Sequence, residues 1–302
     1  MDRTSQPVAK NAPVHWKAYL QLLKPVTWFP PMWAFGCGLV ASGASLGSRG
    51  LFVVGGIALA GPLVCGTSQI VNDWFDRKVD AINEPDRPIP SGRVPGRNGL
   101  YFAILWTVVS LMVAATLGVW VLAAAVFGLL LAWAYSAPPF RLKMNGWWGN
   151  SAVAICYEGL PWFTAAAVLS GTLPTWHSIF AALAYSVGAH GIMTLNDFKA
   201  INGDIQMGIR TLPVQLGANG AARVACAVMA VAQLAVIALL FYLDTPIHAG
   251  AVTGLLAVQL VLMRRFLSDP IKFAQWYSAF GVTLYVSGML ITAFAIRQVV
   301  AA

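Results

Sequence analysis

The chain has 302 residues, 58% of them hydrophobic and 10% charged, far below the ~25% charge of an ordinary soluble globule. A water-soluble fold is excluded, and a membrane protein is indicated. The net charge of +8 would suit nucleic acid, but the basic residues are spread over the connections between apolar runs, where membrane topology accounts for them; the expected partner is a lipid bilayer and not a nucleic acid.

The first 24 residues are polar and then amphipathic, without the apolar core of a cleavable signal or the look of a transit peptide. Val14 to Lys24 reads as an interfacial helix that offers Trp16, Tyr19, Leu20 and Leu23 to lipid and Lys17 and Lys24 to headgroups. Apolar runs sufficient for a ~30 Å hydrocarbon core then follow near 26–46, 51–71, 99–118, 120–138, 150–170, 176–195, 220–243, 246–263 and 276–299. The expected fold is all-α: one polytopic bundle of nine transmembrane helices, residues 1–302, with its termini on opposite faces. All but Arg49 and Arg297 of the 19 lysines and arginines fall in the N-terminal segment or in the even-to-odd connections. The positive-inside rule therefore places that segment and those loops in the cytoplasm and the C-terminus outside. Cys37, Cys65, Cys156 and Cys226 fall within spans, lack metal-binding spacing and read as reduced packing residues.

Seven of the 11 acidic residues occupy two segments on the same expected face: Asp73, Asp76, Asp80, Glu84 and Asp86 after the second span, Asp197 and Asp204 after the sixth. Asp73, Asp76 and Asp80 stand at i, i+3 and i+7, one face of a helix continuing from the span. Like charges in such a stripe repel unless a cation neutralises them, and carboxylate oxygens suit Mg²⁺, which keeps waters and bridges to phosphates. Asp197 and Asp204 are again seven apart, two helical turns.

The two stretches look alike. Asn72-Asp73 is followed by Arg87-Pro88-Ile89-Pro90, and Asn196-Asp197 by Arg210-Thr211-Leu212-Pro213. An internal repeat is expected, with two half-sites facing each other across the bundle. Arg77, Lys78, Arg87, Lys199 and Arg210 interleave cations with the carboxylates, which makes a diphosphate site with Mg²⁺ the chemical expectation. The plain alternative is a solvated loop whose acids and bases pair; two matched copies at equivalent helix ends favour the site. Asn72 and Asn196 read as orienting groups or as helix caps. The loops at 72–98 and 196–219 border the site, and the first, rich in Pro and Gly, reads as a lid or a rigid connector.

Two ionisable residues fall inside spans. Glu158, midway along the fifth, would cost about 2.5–3.5 kcal/mol if charged and unpaired, so it is expected to face the bundle interior. His190 lies one and a half turns before Asn196 and reads as a packing residue or a ligand. Trp28, Trp33, Trp147, Trp148 and Trp176 suggest interfacial belts.

On these residues the sequence resembles the intramembrane UbiA-type prenyltransferases, and within them the chlorophyll and bacteriochlorophyll synthases. The likeness rests on LKPVTWFPPMW (23–33), NDWFDRKVDAINEPDRPIPSG (72–92), AYSAPPFRLKMNGWWGN (134–150), GLPW (159–162), and NDFKAINGD with GIRTLPVQLG (196–217), and is weaker beyond. NEPDRPIPSG is its most specific piece. The resemblance implies an enzyme that esterifies the propionate of bacteriochlorophyllide with geranylgeranyl or phytyl diphosphate. Asp73, Asp76, Asp80, Asp197 and Asp204 would be catalytic and hold Mg²⁺. Asn72, Arg77, Arg87, Asn196, Lys199 and Arg210 would bind the diphosphate, with Tyr135, Arg141 and Lys143 closing over it. Glu158 and His190 would face the Mg-tetrapyrrole. The implied address is the inner membrane of a photosynthetic bacterium, with proteins of pigment synthesis or assembly as candidate partners. Two departures stand out: Asn202 replaces a usual acidic residue, leaving the second motif one carboxylate fewer, and Glu158 replaces an apolar residue of the chlorophyll enzymes, which favours the bacteriochlorophyll branch. The competing expectations are another acceptor on the same fold, a chlorophyllide, quinone precursor or haem, and a transporter. A transporter would carry ionisable residues deep in several spans, where here Glu158 is nearly alone.

Overall fold

The computed structural model describes residues 16–45 and 47–301; Asp2, Arg3, Lys10, Val14 and His15 lie outside the described residues. Chain entry is through α1 (Trp16–Leu22), a 3₁₀ turn at Pro25–Trp28 and α2 (Phe29–Ala41). Eight helices long and apolar enough to cross a membrane follow: α3 (Gly50–Asn83), α4 (Asn98–Leu117), α5 (Val119–Ser136), α6 (Gly146–Ser170), α7 (Trp176–Asp197), then, after the short α8 (Ile201–Gln206), α9 (Leu212–Tyr242), α10 (Pro246–Ser268) and α11 (Pro270–Ala301).

The first of the nine expected spans is shorter than the sequence suggests. α2 has 13 residues, about 20 Å at 1.5 Å per residue. Pro30 and Pro31 occupy its first turn, where no N–H is needed but backward extension is blocked, and Gly43 ends it with a φ of 67°. Several other boundaries are equally local. Asn145 caps α6 by accepting from the Trp147 backbone N–H at 2.9 Å, Thr175 caps α7, and Gly171 closes α6 in the left-handed region.

α1 departs from a purely interfacial helix. Trp16 and Leu20 are exposed, but Leu22 and Leu23 are buried, and Tyr19 packs edge-on against Phe102 of α4 at 5.2 Å. The helix is thus pinned to the bundle.

The long helices form a closed ring. α3 packs on α4 and α5, α5 on α6, α6 on α7, α7 on α9, and α10 and α11 lead back to α2, which also packs against the second half of α6. Small residues let these helices approach closely. Gly191 of α7 lies against the Ala225 carbonyl and Met229 of α9, leaving no room for a Cβ. Buried polar side chains are paired across helices. Gln233 of α9 donates to Gln259 of α10 at 2.6 Å, Gln259 to the Tyr277 hydroxyl of α11 at 3.0 Å, and Tyr285 to the Tyr185 carbonyl at 2.9 Å.

Two helices carry π-helical turns, at Leu59–Cys65 in α3 and Ile155–Gly159 in α6. Pro62 lies within the first and Pro161 just beyond the second. A proline has no N–H for the i−4 carbonyl, so the helix widens there.

Lys24, the ends of α3, α5 and α7, and the start of α6 meet at one face, through Lys24 with Asp73, Lys143 with Asp76, and Asn150 with Asp197. On the opposite face Arg49 donates to the Val168 carbonyl at 3.0 Å, and Gly43 lies against Val300. Arg49 and Gly43, at the far end of α2 from Lys24, thus meet the end of α6 and of α11. The four cysteines are free thiols.

Overpacking the α7–α9 contact should be costly: Gly191→Val is expected to destabilise the protein by about 1–3 kcal/mol. Thermal unfolding in detergent would read this as a lowered midpoint, with Gly254→Val, at a glycine facing open space, leaving the midpoint near wild type.

Candidate active site

The three aspartates of the first stretch do lie on one stripe of α3, but they do not face one point. Asp73, only 2% exposed, accepts from Lys24 Nζ at 2.6 Å and lies 3.5 Å from Arg87 Nη1. Arg87 also donates to Asp80 at 3.0 Å and, through Nε and Nη2, to both carboxylate oxygens of Glu84 at 2.7 Å. Asp76 accepts from Lys143. Burial lowers the Lys143 ammonium below its ordinary pKa, and the hydrogen bond to Asp76 opposes that shift. The helix runs unbroken to Asn83, so residues 72–83 of the expected loop are helical and only the following turn is irregular.

The second stretch is built differently. α7 ends at Asp197, a turn intervenes at 198–200, and α8 carries Asp204; the two carboxylates do not share a continuous helix. Their partners are neutral. Asn150 donates to Asp197 at 3.1 Å, and Thr211 to Asp204 at 3.0 Å. Burial pushes the Asp204 carboxyl above the ordinary carboxylate range, against the lowering effect of the Thr211 hydroxyl.

A cavity of about 460 Å³ lies between the two stretches. Asn72 of α3, Tyr135 of α5, Asn150 of α6, and Asn196 and Asp197 of α7 line its polar end; Val64, Leu131 and Val153 are among its apolar walls. Tyr135 lines the cavity together with Asn72, the residue before Asp73, and Asp197, so the two stretches border one space. Asn72 donates to Ser136 at 3.3 Å. Lys24, Asp73 and Arg87 line an adjoining open hollow with Glu84, Asp86 and Arg93.

Several expected site residues point elsewhere. Arg77 stacks on the indole of Trp74, 4.0 Å from its centre, and donates to the Trp74 carbonyl at 2.6 Å. Lys199 lines a separate hollow with Lys272 and Gln275, touching the cavity only through Asn196. Arg210 is exposed, and its backbone joins Asn145 in an isolated parallel bridge. Arg141, in the left-handed region, opens the turn that carries Lys143. Glu158 is buried with Oε2 unpartnered and is not part of the cavity lining, although its neighbours Cys156 and Tyr157 are. His190 is buried, its ring stacked on Trp147 at 5.7 Å, and both ring nitrogens lack partners.

The largest omission from sequence reasoning is Lys24, which meets Asp73 and not lipid headgroups. Asn150, Gln69, Ser68 and Tyr157 also line the cavity. Polar side chains inside otherwise apolar spans were the signal for them. As a donor set, the carboxylates are hard oxygen ligands that fit Mg²⁺. Among the described residues no three acidic, histidine or cysteine side chains form a ready-made cage, but Mg²⁺ at phosphate sites commonly takes one or two carboxylates, waters and phosphate oxygens.

Comparison with known proteins gives the chain's relatives. The chain is 59% identical over 281 residues, 93% of each chain, to the bacteriochlorophyll synthase 33 kDa chain of Cereibacter sphaeroides. It is 40% identical to the chloroplastic chlorophyll synthase of Oryza sativa subsp. japonica, over 93% of this chain and 77% of that one. In fold it matches a UbiA homologue from Archaeoglobus fulgidus bound to GPP and Mg²⁺, with a TM-score of 0.69 at 18% identity, covering 89% of this chain and 99% of that one. Residues 28–284 match the UbiA prenyltransferase family, and the chain belongs to that family.

Proposed function

We propose that this chain esterifies the propionate of bacteriochlorophyllide with geranylgeranyl or phytyl diphosphate and releases diphosphate. The observation that carries the reading is one cavity, apolar over most of its wall and bordered at its polar end by residues of both aspartate stretches. The choice of acceptor follows the 59% identity to a bacteriochlorophyll synthase against 40% to a chlorophyll synthase. Lys24, Arg87 and Lys143 gather on the α3 carboxylates beside that end, the face that the positive-inside rule assigns to the cytoplasm.

An acceptor propionate has a pKa of about 4–5, like a glutamate side chain, and is ionised at neutral pH; no general base is required, and the demand falls on the leaving group. Mg²⁺ taken up between the two stretches, on one or two carboxylates from each of Asp73, Asp76 and Asp80 and of Asp197 and Asp204, would supply Lewis-acid chemistry toward the diphosphate oxygens. Lys24, Arg87 and Lys143, already gathered at the carboxylates, neutralise the charge that grows as the allylic C1–O bond breaks and the diphosphate leaves with the electron pair. The propionate oxygen forms the new bond to C1. Tyr135, inside the cavity, donates a hydrogen bond to the departing oxygens, with Asn72, Asn150 and Asn196 orienting the group. The apolar walls keep water from the allylic carbon. Arg77, Lys199 and Arg210 face away from the cavity and are assigned no contact with the transferred group.

An acceptor panel tests the reading. Purified protein with labelled geranylgeranyl diphosphate, Mg²⁺ and, in turn, bacteriochlorophyllide, chlorophyllide, a quinone precursor or haem should yield esterified bacteriochlorophyll by chromatography; a prenylated quinone without esterified pigment would refute it. Asp73→Asn and Asp197→Asn should each lower kcat about a hundredfold or more and raise the Mg²⁺ concentration for half-maximal rate, and near-normal turnover in both would remove the metal assignment. For Lys24→Met a loss of about tenfold or more in kcat/KM for the prenyl diphosphate is expected, with Lys24→Arg recovering part of it. A KM unchanged in Lys24→Met would make Lys24 a structural partner of Asp73 alone.

A further inference from the structure

One helical turn inward from Asn72, the cavity is lined by a polar group that the proposed chemistry leaves unused. Gln69 of α3 donates through Nε2 to the Tyr157 hydroxyl of α6 at 3.3 Å, and Cys65 Sγ donates to the same oxygen at 3.6 Å. All three side chains line the cavity, as do Thr27 and Ser68.

Their hydrogen bonds are unevenly spent. The Thr27 hydroxyl donates to the Lys24 carbonyl at 2.9 Å and Ser68 to the Cys65 carbonyl at 2.7 Å, so both protons are committed to backbone. Tyr157 differs. Its oxygen accepts from Gln69 and Cys65, and among the described residues its own O–H is left without an acceptor. The Gln69 carboxamide carries two N–H donors, and one of them is used. A contact that only tied α3 to α6 would need the single bond already made; the two donors left over suit a ligand that accepts and does not donate. A carboxylate is such a ligand, and hydrogen bonds to an ionised group are about twice as strong as those between neutral ones.

The depth fits the acceptor. Gln69 stands three residues before Asn72, about 4.5 Å inward at 1.5 Å per residue, and an attacking atom works from about 3–3.5 Å. Helical side chains lean toward the start of their helix. α6 starts at the polar end, where Asn150 lines the cavity, so the Tyr157 phenol is carried back toward that end and meets Gln69. A group held by the pair stands next to the allylic C1 of a donor whose phosphates occupy the polar end. Both donors are neutral, which leaves the negative charge on the nucleophile; an ammonium at this depth would neutralise the group that must attack.

We infer that the Tyr157 hydroxyl and the second N–H of Gln69 hold the acceptor's carboxylate and turn one of its oxygens toward C1. The inference rests on the esterification reading above and adds to it the residues that bind the pigment's propionate.

Bacteriochlorophyllide and its propionate methyl ester, which keeps the macrocycle and removes the charge, are the two probes. Equilibrium binding to the purified protein in detergent should favour the free acid about tenfold or more in the wild type. Tyr157→Phe and Gln69→Met should each bring that ratio below about three and raise KM for the pigment about tenfold, with KM for geranylgeranyl diphosphate within about threefold of wild type. The ratio is taken within one preparation, so a misfolded fraction lowers both signals and leaves the ratio unchanged. A wild-type ratio near one, a wild-type ratio kept in both variants, or equal rises in KM for pigment and prenyl donor would overturn the carboxylate cradle while leaving the enzyme reading intact. Wild-type protein that esterifies no pigment would remove that reading and the cradle with it.

Discussion

Negative charge buried at the rim of a lipid-embedded bundle needs a partner, and the partnering of Asp73 organises the first half of this site. A buried carboxylate left alone costs several kcal/mol, yet Asp73 is almost fully enclosed. Lys24 answers it from the segment before α2, and Arg87 from the turn after α3. Arg87 in turn gathers Asp80 and Glu84, and Lys143 brings the connection between α5 and α6 onto Asp76. Three separate stretches of chain are thus drawn to the end of one helix by charge. The second half works otherwise: Asp197 and Asp204 are held by an amide and a hydroxyl, which leave their charge unneutralised. The repeat is alike in sequence and unlike in electrostatics, with cations concentrated on one wall and uncompensated carboxylates on the other.

The shape of the cavity follows from backbone chemistry. Pro62 and Pro161 each sit at a widened turn, and those turns carry Val64, Cys65, Cys156 and Tyr157 into the cavity wall. The Pro62 carbonyl accepts the indole N–H of Trp106 at 2.8 Å, so the widened helix is satisfied from a neighbour, as a membrane interior demands. Glycine at 128 keeps the opposite wall thin. A polar mouth and an apolar throat are therefore products of proline, glycine and helix phase, with no irregular loop crossing the membrane.

The all-α class, the long spans and the clustering of the acidic stretches at one end of the bundle were legible because each depends on composition along the chain. Direction around a helix was not. In a span that is apolar on every side the 3.6-residue pattern fades, so Glu158 could not be assigned to the side away from Tyr157, nor Arg77 to Trp74. α2 reads as twenty residues in a hydropathy window because Pro30, Pro31, Ser42 and Gly43 dilute it little, although they bound the helix. Lys24 was hidden by its position: a lysine beside an amphipathic helix looks like a headgroup anchor until the end of α3 is placed beside it. The break at 198–200 has no composition signal, and seven-residue spacing alone suggests an unbroken helix.

The turn at 84–97 settles between lid and connector on the same physical grounds. Arg93 donates to Gln21 of α1 at 2.7 Å, to the Asp86 carbonyl at 2.6 Å and to Ser91 at 3.1 Å; Val94 is buried, and Ile89 packs on Gly99. With Arg87 forked onto Glu84 and Asp80, the segment is tied to α3 at one end and to α1 through Gln21, the contacts of a connector. Adjustment to a bound diphosphate then falls to side chains, and the two lysines suit it better than the arginine. A guanidinium engaged in a two-pronged contact gives up several hydrogen bonds to turn, whereas an ammonium on a four-carbon stem swings from one oxygen to another. On the proposed function, Lys24 and Lys143, each held to a single carboxylate, would be the charges that turn to the diphosphate, and Arg87 the post that stays on Asp80 and Glu84.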